Sequence, residues 1–159
     1  MPDSRGNSVI MWGAMSYGRG FGPAWLAVAI ALALHVTDEA LTGFLDVYNP
    51  TVLALRARIP WLPLPVFRPE VWLAGLIAAI LLLVALSPVA FRGSRWMRPV
   101  GYALAALMLA NAAGHILGTI AGRTVAEVRF PRPMPGFYSS PLLAAASVWL
   151  FWSLWRTRK

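Results

Sequence analysis

A run of 21 residues without a charge, VWLAGLIAAILLLVALSPVAF over residues 71–91, most limits how this chain can fold. An apolar stretch of that length can cross the hydrocarbon core of a bilayer, roughly 30 Å thick, as a helix. In lipid every backbone N–H and C=O must be paired within the segment, which a helix achieves and a lone strand does not. The run therefore predicts a helical membrane protein.

Three further stretches approach the same length and are also mainly apolar. The four predicted spans cover residues 24–44, 71–91, 99–121 and 138–155. Of the 159 residues, 58% are hydrophobic and 13% are charged, whereas a soluble domain carries about 25% charged residues. We therefore expect an all-α fold: a four-helix transmembrane bundle that forms one domain over residues 24–159, after a flexible N-terminal tail over residues 1–23.

The connections between the predicted spans are rich in proline. After the first span, Asn49 and Pro50 match a helix start, with Asn as the cap and Pro at the first helical position. The next residues, TVLALRAR, predict a short amphipathic helix at the membrane interface. The segment IPWLPLPVF has too many prolines to continue that helix. We expect this segment and the later RTVAEVRFPRPMPGF to fold over one mouth of the bundle.

The basic residues favour one orientation in the membrane. With the N-terminus inside, eight of the 14 Lys and Arg residues lie on the inner side and six on the outer side. The inner turn RGSRWMR is short and dense in arginine, which is typical of a cytoplasmic loop. We therefore expect both termini in the cytoplasm. The net charge of +8 does not predict a nucleic-acid partner, because the charges lie in separate clusters between the spans.

Ionisable side chains interrupt the first span near its middle. His35, Asp38 and Glu39 follow an i, i+3, i+4 spacing, which places them on one face of a helix. Thr42 and Asp46 continue that face by their spacing. A charged group at membrane depth costs on the order of 3 kcal/mol or more, so it rarely lies there without a partner or a task. These residues predict a polar site inside the membrane.

The third span carries the other half of the predicted site. Asn111 and His115 are spaced i, i+4, which places them on one helix face. At 1.5 Å per residue they lie about 18 and 24 Å from the start of their span, and His35 and Glu39 lie about 16 and 22 Å from the start of theirs. Because both spans run in the same direction, we expect them to pack together with His35 or Glu39 close to His115.

Small residues and a serine pair give weaker indications. Ala110, Gly114 and Gly118 recur every four residues, which lets another helix approach closely, within the protein or in an oligomer. Ser139 with His115 could form a nucleophile–base pair, but the sequence has no nucleophile-elbow pattern. Ser139 and Ser140 more simply cap the start of the fourth span.

These residues leave the chemistry open. His35, Glu39 and His115, helped by Asp38, fit a two-His, one-carboxylate site for a divalent metal, Zn or Fe. The same groups with Asn111 could instead transfer protons without metal, which suits isomerisation, cyclisation or hydrolysis of a lipophilic small molecule. Non-catalytic binding or transport of a lipophile or ion is an alternative. A helix-packing subunit, in which the polar groups only join helices, is another.

The stretches HVTDEALTGFLDVYNPTVLALR, NAAGHILGTIAGRTV and RPMPGFYSSPLL resemble the HXXEE-motif family of small bacterial integral membrane proteins. In that family one helix carries His-x-x-Glu-Glu, and a later span carries a further His before a proline-containing motif. His35, Glu39 and His115 match by position, and Asp38 replaces the first Glu. The resemblance covers roughly residues 25–150. It implies a multi-pass protein of the bacterial inner (cytoplasmic) membrane from a family of unknown function that is suspected to be enzymatic. A looser similarity is to emopamil-binding-like sterol isomerases, which also cluster His and acids inside a small helical bundle.

Overall fold

The computed structural model describes the backbone of residues 5–156 and the side chains of residues 20–156. Over these residues the fold is all-helical, with five helices and no strand, so the predicted all-α class is confirmed. The helices are α1 (Arg5–Thr42), α2 (Leu45–Arg58), α3 (Pro69–Phe91), α4 (Met97–Ala121) and α5 (Ser140–Arg156). The tail predicted over residues 1–23 falls mostly outside the described side chains and stays a prediction.

Three segments within the described residues are long and apolar enough to cross a membrane, and they correspond to the first three predicted spans. These segments are Gly20–Thr42, Pro69–Phe91 and Met97–Ala121. The fourth predicted span corresponds to α5, which has 17 residues. Its length is about 26 Å at 1.5 Å per residue, against a hydrocarbon core of about 30 Å. Three helices therefore support a membrane protein, and α5 is shorter than they are.

The outer surface of α3 is apolar, as a lipid-facing helix requires. Ile77, Leu81 and Val84 are exposed, and Leu81 keeps 63% of its surface accessible. Soluble monomers rarely expose a contiguous apolar surface of this kind to water. In a bilayer the same side chains contact acyl chains, so the exposed face of α3 agrees with the membrane character of the fold.

Helix α1 is the element against which the other helices are arranged. It packs against α3 on one side and α5 on the other, while α4 packs against α5 and contacts α1 only locally. Phe21, Trp25, Val28 and Leu32 follow a helical spacing and are buried, so they form the apolar stripe of α1. The Trp25 indole N–H donates to the Leu83 carbonyl of α3 at 2.8 Å. The expected packing of the first and third spans is therefore confined to a short stretch, because α5 occupies most of the space beside α1.

A glycine determines where the first helix ends. Gly43 has a φ of +78°, in the left-handed region that glycine enters without a steric penalty. The chain turns there, and α2 begins at Leu45, so Asp46 is exposed on α2 and does not continue the polar face of α1. The short helix predicted after the first span is present, but the predicted start at Pro50 is wrong, because Pro50 lies inside α2.

Asn49 joins two parts of the chain instead of capping a helix. Its side-chain amide donates to the Phe67 carbonyl at 2.9 Å, and its side-chain oxygen accepts from the Phe67 N–H at 3.0 Å. The Tyr48 hydroxyl donates to the Pro65 carbonyl at 3.1 Å. These bonds hold the extended proline-rich segment over residues 59–68 against α2, which satisfies backbone groups that proline-rich chain cannot pair within itself.

The predicted topology can be tested directly, because the chain contains no native cysteine. In intact cells, Ser94→Cys in the turn between α3 and α4 should resist a membrane-impermeant maleimide, because the arginine-dense turn is predicted to be cytoplasmic. Trp61→Cys, between α2 and α3, should react from outside and serves as the matched control. Reaction at Ser94→Cys with protection at Trp61→Cys would reverse the orientation.

Candidate functional site

Three ionisable side chains from two helices meet inside the protein. His35 and Glu39 lie on α1 and His115 lies on α4, and they are only 0%, 3% and 4% exposed. Glu39 Oε1 is 3.4 Å from His35 Nε2 and 3.0 Å from His115 Nε2. The two imidazole rings meet edge to face with their centroids 4.8 Å apart. The expected closeness of His35 and Glu39 to His115 is therefore confirmed, and these three residues are called the central cluster below.

The loop between α4 and α5, residues 122–139, closes over the central cluster. The Pro135 carbonyl accepts a short hydrogen bond from His115 Nδ1. The Gly136 N–H donates to Thr42 Oγ1 at 3.2 Å, which fastens the loop to the end of α1. Of the two proline-rich connections expected to fold over the bundle mouth, this one contributes directly to the site.

Ser139 connects the loop to both His35 and Asp38. Its backbone N–H donates to Asp38 Oδ2 at 2.9 Å, and its hydroxyl lies 2.8 Å from the same oxygen. The hydroxyl is also 2.8 Å from His35 Nδ1. Asp38 therefore lies outside the central cluster and orients Ser139. The Ser139 hydroxyl is engaged by these partners, which disfavours a role as a nucleophile with His115.

The hydrogen bonds determine which nitrogen of each histidine carries a proton. The Pro135 carbonyl can only accept, so His115 Nδ1 must be the donor. Ser139 has one hydroxyl proton, which it donates to the Asp38 carboxylate, so His35 Nδ1 donates to the Ser139 oxygen. In neutral imidazole the other nitrogen is then an acceptor. When both imidazoles are neutral, both Nε2 atoms therefore direct a lone pair toward Glu39.

In that neutral state the central cluster brings three hydrogen-bond acceptors together with no proton between them. His35 Nε2, His115 Nε2 and a Glu39 oxygen lie within 4.8 Å of one another. Neither His35 Nε2 nor Glu39 Oε1 has a well-aligned hydrogen-bond partner within the described residues. Buried acceptors without a donor are costly, by about 1–3 kcal/mol each. A cation between the three atoms, either a metal ion or an added proton, would remove this unfavourable contact between acceptors.

Gly136 allows the loop to reach the central cluster. Its φ is +83°, and a Cβ at this position would lie 2.9 Å from both Glu39 Cγ and His115 Nδ1. Any larger residue would therefore have a strained backbone and would also displace the central cluster. Gly136 is required both for the turn and for the close approach of the backbone to the site.

A cavity of about 550 Å³ adjoins the central cluster and shares one residue with it, His115. Its walls come from α2, α4 and the loop that follows α4. The lining residues are Phe44, Val47, Tyr48, Thr51, Ala110, Asn111, Gly114, His115, Leu117, Gly118, Ala121, Arg123, Thr124, Val125, Glu127 and Met134. Asn111 thus faces the cavity rather than the central cluster. The small residues Ala110 and Gly114, expected to contact another helix, line this cavity within the chain.

Sequence reasoning did not identify the partners that orient the histidines. Pro135 acts through its backbone carbonyl, for which no side chain provides a signal. Ser139 was considered as a nucleophile or a helix cap and not as a partner of His35. The one available signal was the PGFYSS stretch, in which a glycine follows a proline and precedes a serine pair.

Substitution of Gly136 tests whether the close approach of the loop supports the site. Gly136→Ala should lower the free energy of unfolding by about 1–3 kcal/mol, because it introduces backbone strain and a contact with His115 and Glu39. Gly75→Ala is the matched control, since no atom lies within 4 Å of a Cβ added there. Thermal unfolding in detergent measures both. Equal stability of Gly136→Ala and Gly75→Ala would contradict this geometry.

Comparison of the chain with protein-family models, curated proteins and solved structures finds no match. The resemblance to the HXXEE-motif family therefore stays a prediction that rests on the three quoted stretches. The function has to be argued from the geometry of the central cluster, its oriented histidines and the adjoining cavity.

Proposed function

We propose that the protein is a membrane-embedded enzyme in which His35, Glu39 and His115 hold one divalent metal ion. Zn²⁺ is the first candidate for this ion and Fe²⁺ is the second. The substrate of the enzyme is a lipophilic molecule that occupies the adjoining cavity. The observation that carries this proposal is the convergence of three buried acceptor atoms within 4.8 Å of one another, with both histidine Nδ1 atoms already engaged.

The donor set and its spacing support a metal site. Two imidazoles and one carboxylate form a three-ligand set of catalytic zinc enzymes, in which the fourth position stays open. Ligand atoms bound about 2.1 Å from a tetrahedral ion are about 3.4 Å apart. The distances from Glu39 Oε1, 3.4 Å to His35 Nε2 and 3.0 Å to His115 Nε2, are close to that spacing.

The surrounding hydrogen bonds support the same proposal. Metal-binding histidines usually donate their second ring N–H to a carboxylate, a carbonyl or another oxygen, which fixes the ring and its tautomer. His115 donates to the Pro135 carbonyl, and His35 donates to Ser139, which is held in turn by Asp38. Both histidines are thus oriented before an ion arrives, which reduces the ordering needed on binding.

The chemistry follows from the site and its surroundings. A divalent ion would supply Lewis-acid polarisation of a substrate carbonyl or phosphoryl oxygen and activation of water, which suits hydrolysis. Within the chain, Asp38 and Ser139 hold His35 in place, and Phe44 packs beside His115 with ring centroids 5.6 Å apart. The buried position of the central cluster excludes bulk water and strengthens electrostatic interactions there.

Metal-free acid–base chemistry is the second candidate, and one distance favours it. Glu39 Oε1 and His115 Nε2 are 3.0 Å apart, close enough to share a proton. An added proton would satisfy the same acceptors and would suit isomerisation or cyclisation. The two candidates differ in metal content, which makes them distinguishable.

The membrane arrangement completes the proposal. We take α5 as a fourth span, because 17 residues is the lower limit for a membrane helix and three exposed tryptophans near its end suit an interface. Arg156 also lies over the Trp152 ring, with the guanidinium carbon 3.8 Å from the centroid. We place the protein in the bacterial inner membrane as a member of the HXXEE-motif family, with α2 at the interface.

The metal proposal predicts about one equivalent of zinc or iron per purified chain, since three protein ligands form one site. His35→Ala, Glu39→Gln and His115→Ala should each remove the metal and the stabilisation it provides. Asn111→Ala is the matched control and should retain the metal. Elemental analysis and thermal unfolding, with and without a chelator, measure these effects.

The same experiment identifies the alternatives. Metal-free wild type, no effect of chelator, and stable but inactive variants would favour proton transfer. If the wild type contains no metal and all three variants are clearly less stable than it, the polar groups only join helices.

The orienting role of Ser139 gives a second test. Ser139→Ala removes the acceptor for His35 Nδ1, so metal affinity should fall about tenfold to a hundredfold. Ser147→Ala is the control, because Ser147 is a buried serine of α5 that donates only within its helix, to the Leu143 carbonyl at 2.7 Å. Metal titration of chelator-treated protein compares the two. Equal affinities in both variants would exclude the proposed role of Ser139.

A further inference from the structure

We propose that the cavity between α2 and α4 binds an uncharged lipophilic alcohol, whose hydroxyl group donates to Asn111 beside His115. This inference rests on the proposed function, because it identifies the substrate class of the same site. The volume of the cavity, about 550 Å³, is within the range of roughly 300–1,000 Å³ found for small-molecule sites.

The depth of the cavity indicates a lipophile. Its α4 wall extends from Ala110 to Ala121 in a segment that can cross a membrane, a length of about 16 Å at 1.5 Å per residue. Leu117 lines the cavity and is 63% exposed. A molecule dissolved in the bilayer can therefore reach the cavity from the lipid side, without passing through water.

Asn111 provides the polar contact inside this apolar space. Its side-chain oxygen is buried and has no hydrogen-bond partner within the described residues. A buried acceptor without a donor is unfavourable. Because this oxygen has almost no accessible surface, the amide has to rotate about its terminal torsion to face the cavity, where a ligand hydroxyl would supply the missing donor. Because Asn111 precedes His115 by one helical turn, a hydroxyl bound there lies next to a ligand of the central cluster.

The charges around the cavity favour an uncharged molecule over a lipid anion or cation. Among its lining residues the charged side chains, apart from His115, are Arg123 and Glu127, and they form an ion pair with each other. The remaining polar groups at that end include the hydroxyls of Thr51 and Thr124, which lie 3.1 Å apart. These lining side chains leave no net charge at that end of the cavity to attract a carboxylate or an ammonium group. A divalent ion at the central cluster would be only half neutralised by Glu39, so the preference of the cavity itself is measured after a chelator has removed any metal.

Gly114 keeps the centre of the cavity open. No atom lies within 4 Å of a Cβ added at this glycine. A leucine at position 114 can therefore enter the cavity without a clash with the protein and would occupy the space that the ligand needs. Gly75→Leu is the matched control, because it makes the same substitution on the exposed face of α3, away from the cavity.

Photolabelling with a diazirine derivative of hexadecanol tests this inference on the purified full chain in lipid nanodiscs. On chelator-treated protein we expect labelled peptides from α2 and from residues 110–118 of α4, with competition by hexadecanol and little by hexadecanoate. Gly114→Leu should abolish this labelling and Gly75→Leu should not. Asn111→Leu should weaken competition by hexadecanol about fivefold, which corresponds to the loss of one hydrogen bond.

Two results would overturn the inference. One is labelling that persists in Gly114→Leu, and the other is competition by hexadecanoate as strong as that by hexadecanol. Metal content measured on the same samples before the chelator is added separates this test from that of the proposed function. If the cavity is labelled but the protein contains no metal, the alcohol site is supported and the proposed metal site is rejected. Bound metal with no labelling of the cavity would reject the alcohol site alone.

Discussion

Glu39, His35 and His115 bring three side-chain atoms together at one buried point, and when both imidazoles are neutral all three atoms are hydrogen-bond acceptors. A proton or a metal ion between them would stabilise this arrangement. Both Nδ1 protons are already engaged by Pro135 and Ser139, so the histidines cannot reorient to relieve it. A polar cluster that served only to join helices would pair donors with acceptors. With neutral imidazoles the cluster instead places acceptors beside acceptors, and the proposed metal site rests on this arrangement.

The rest of the fold follows from the need to hold these three atoms together. Helix α1 supplies two residues of the central cluster on successive turns, and its apolar stripe keeps it packed against α3 and α5. Helix α4 contacts α1 only locally, so the loop that follows α4 has to secure the contact. It does so through Pro135, Gly136 and Ser139, which explains why the tightest backbone approach in the site falls at a glycine.

The helices and the residues of the central cluster could be predicted from the sequence because both signals are local. Apolar runs identify membrane helices, and the spacing of His35 and Glu39 places them on one face. The partners of the histidines could not be predicted in this way. Ser139 is 104 positions from His35, and Pro135 acts through a backbone carbonyl that every residue has. The start of α2 was also misplaced, because the left-handed turn at Gly43 outweighed the helix-start signal of Asn49 and Pro50.

The histidine tautomers provide the most direct measurement of the central claim. The chain has two histidines, so nitrogen NMR on protein with isotope-labelled histidine in lipid reports on this site alone. The account predicts that both residues carry a proton on Nδ1 and none on Nε2, and that the Nε2 signals shift when a chelator removes the metal. A proton on Nε2 of either histidine in the untreated protein, with no response to chelator, would contradict the account.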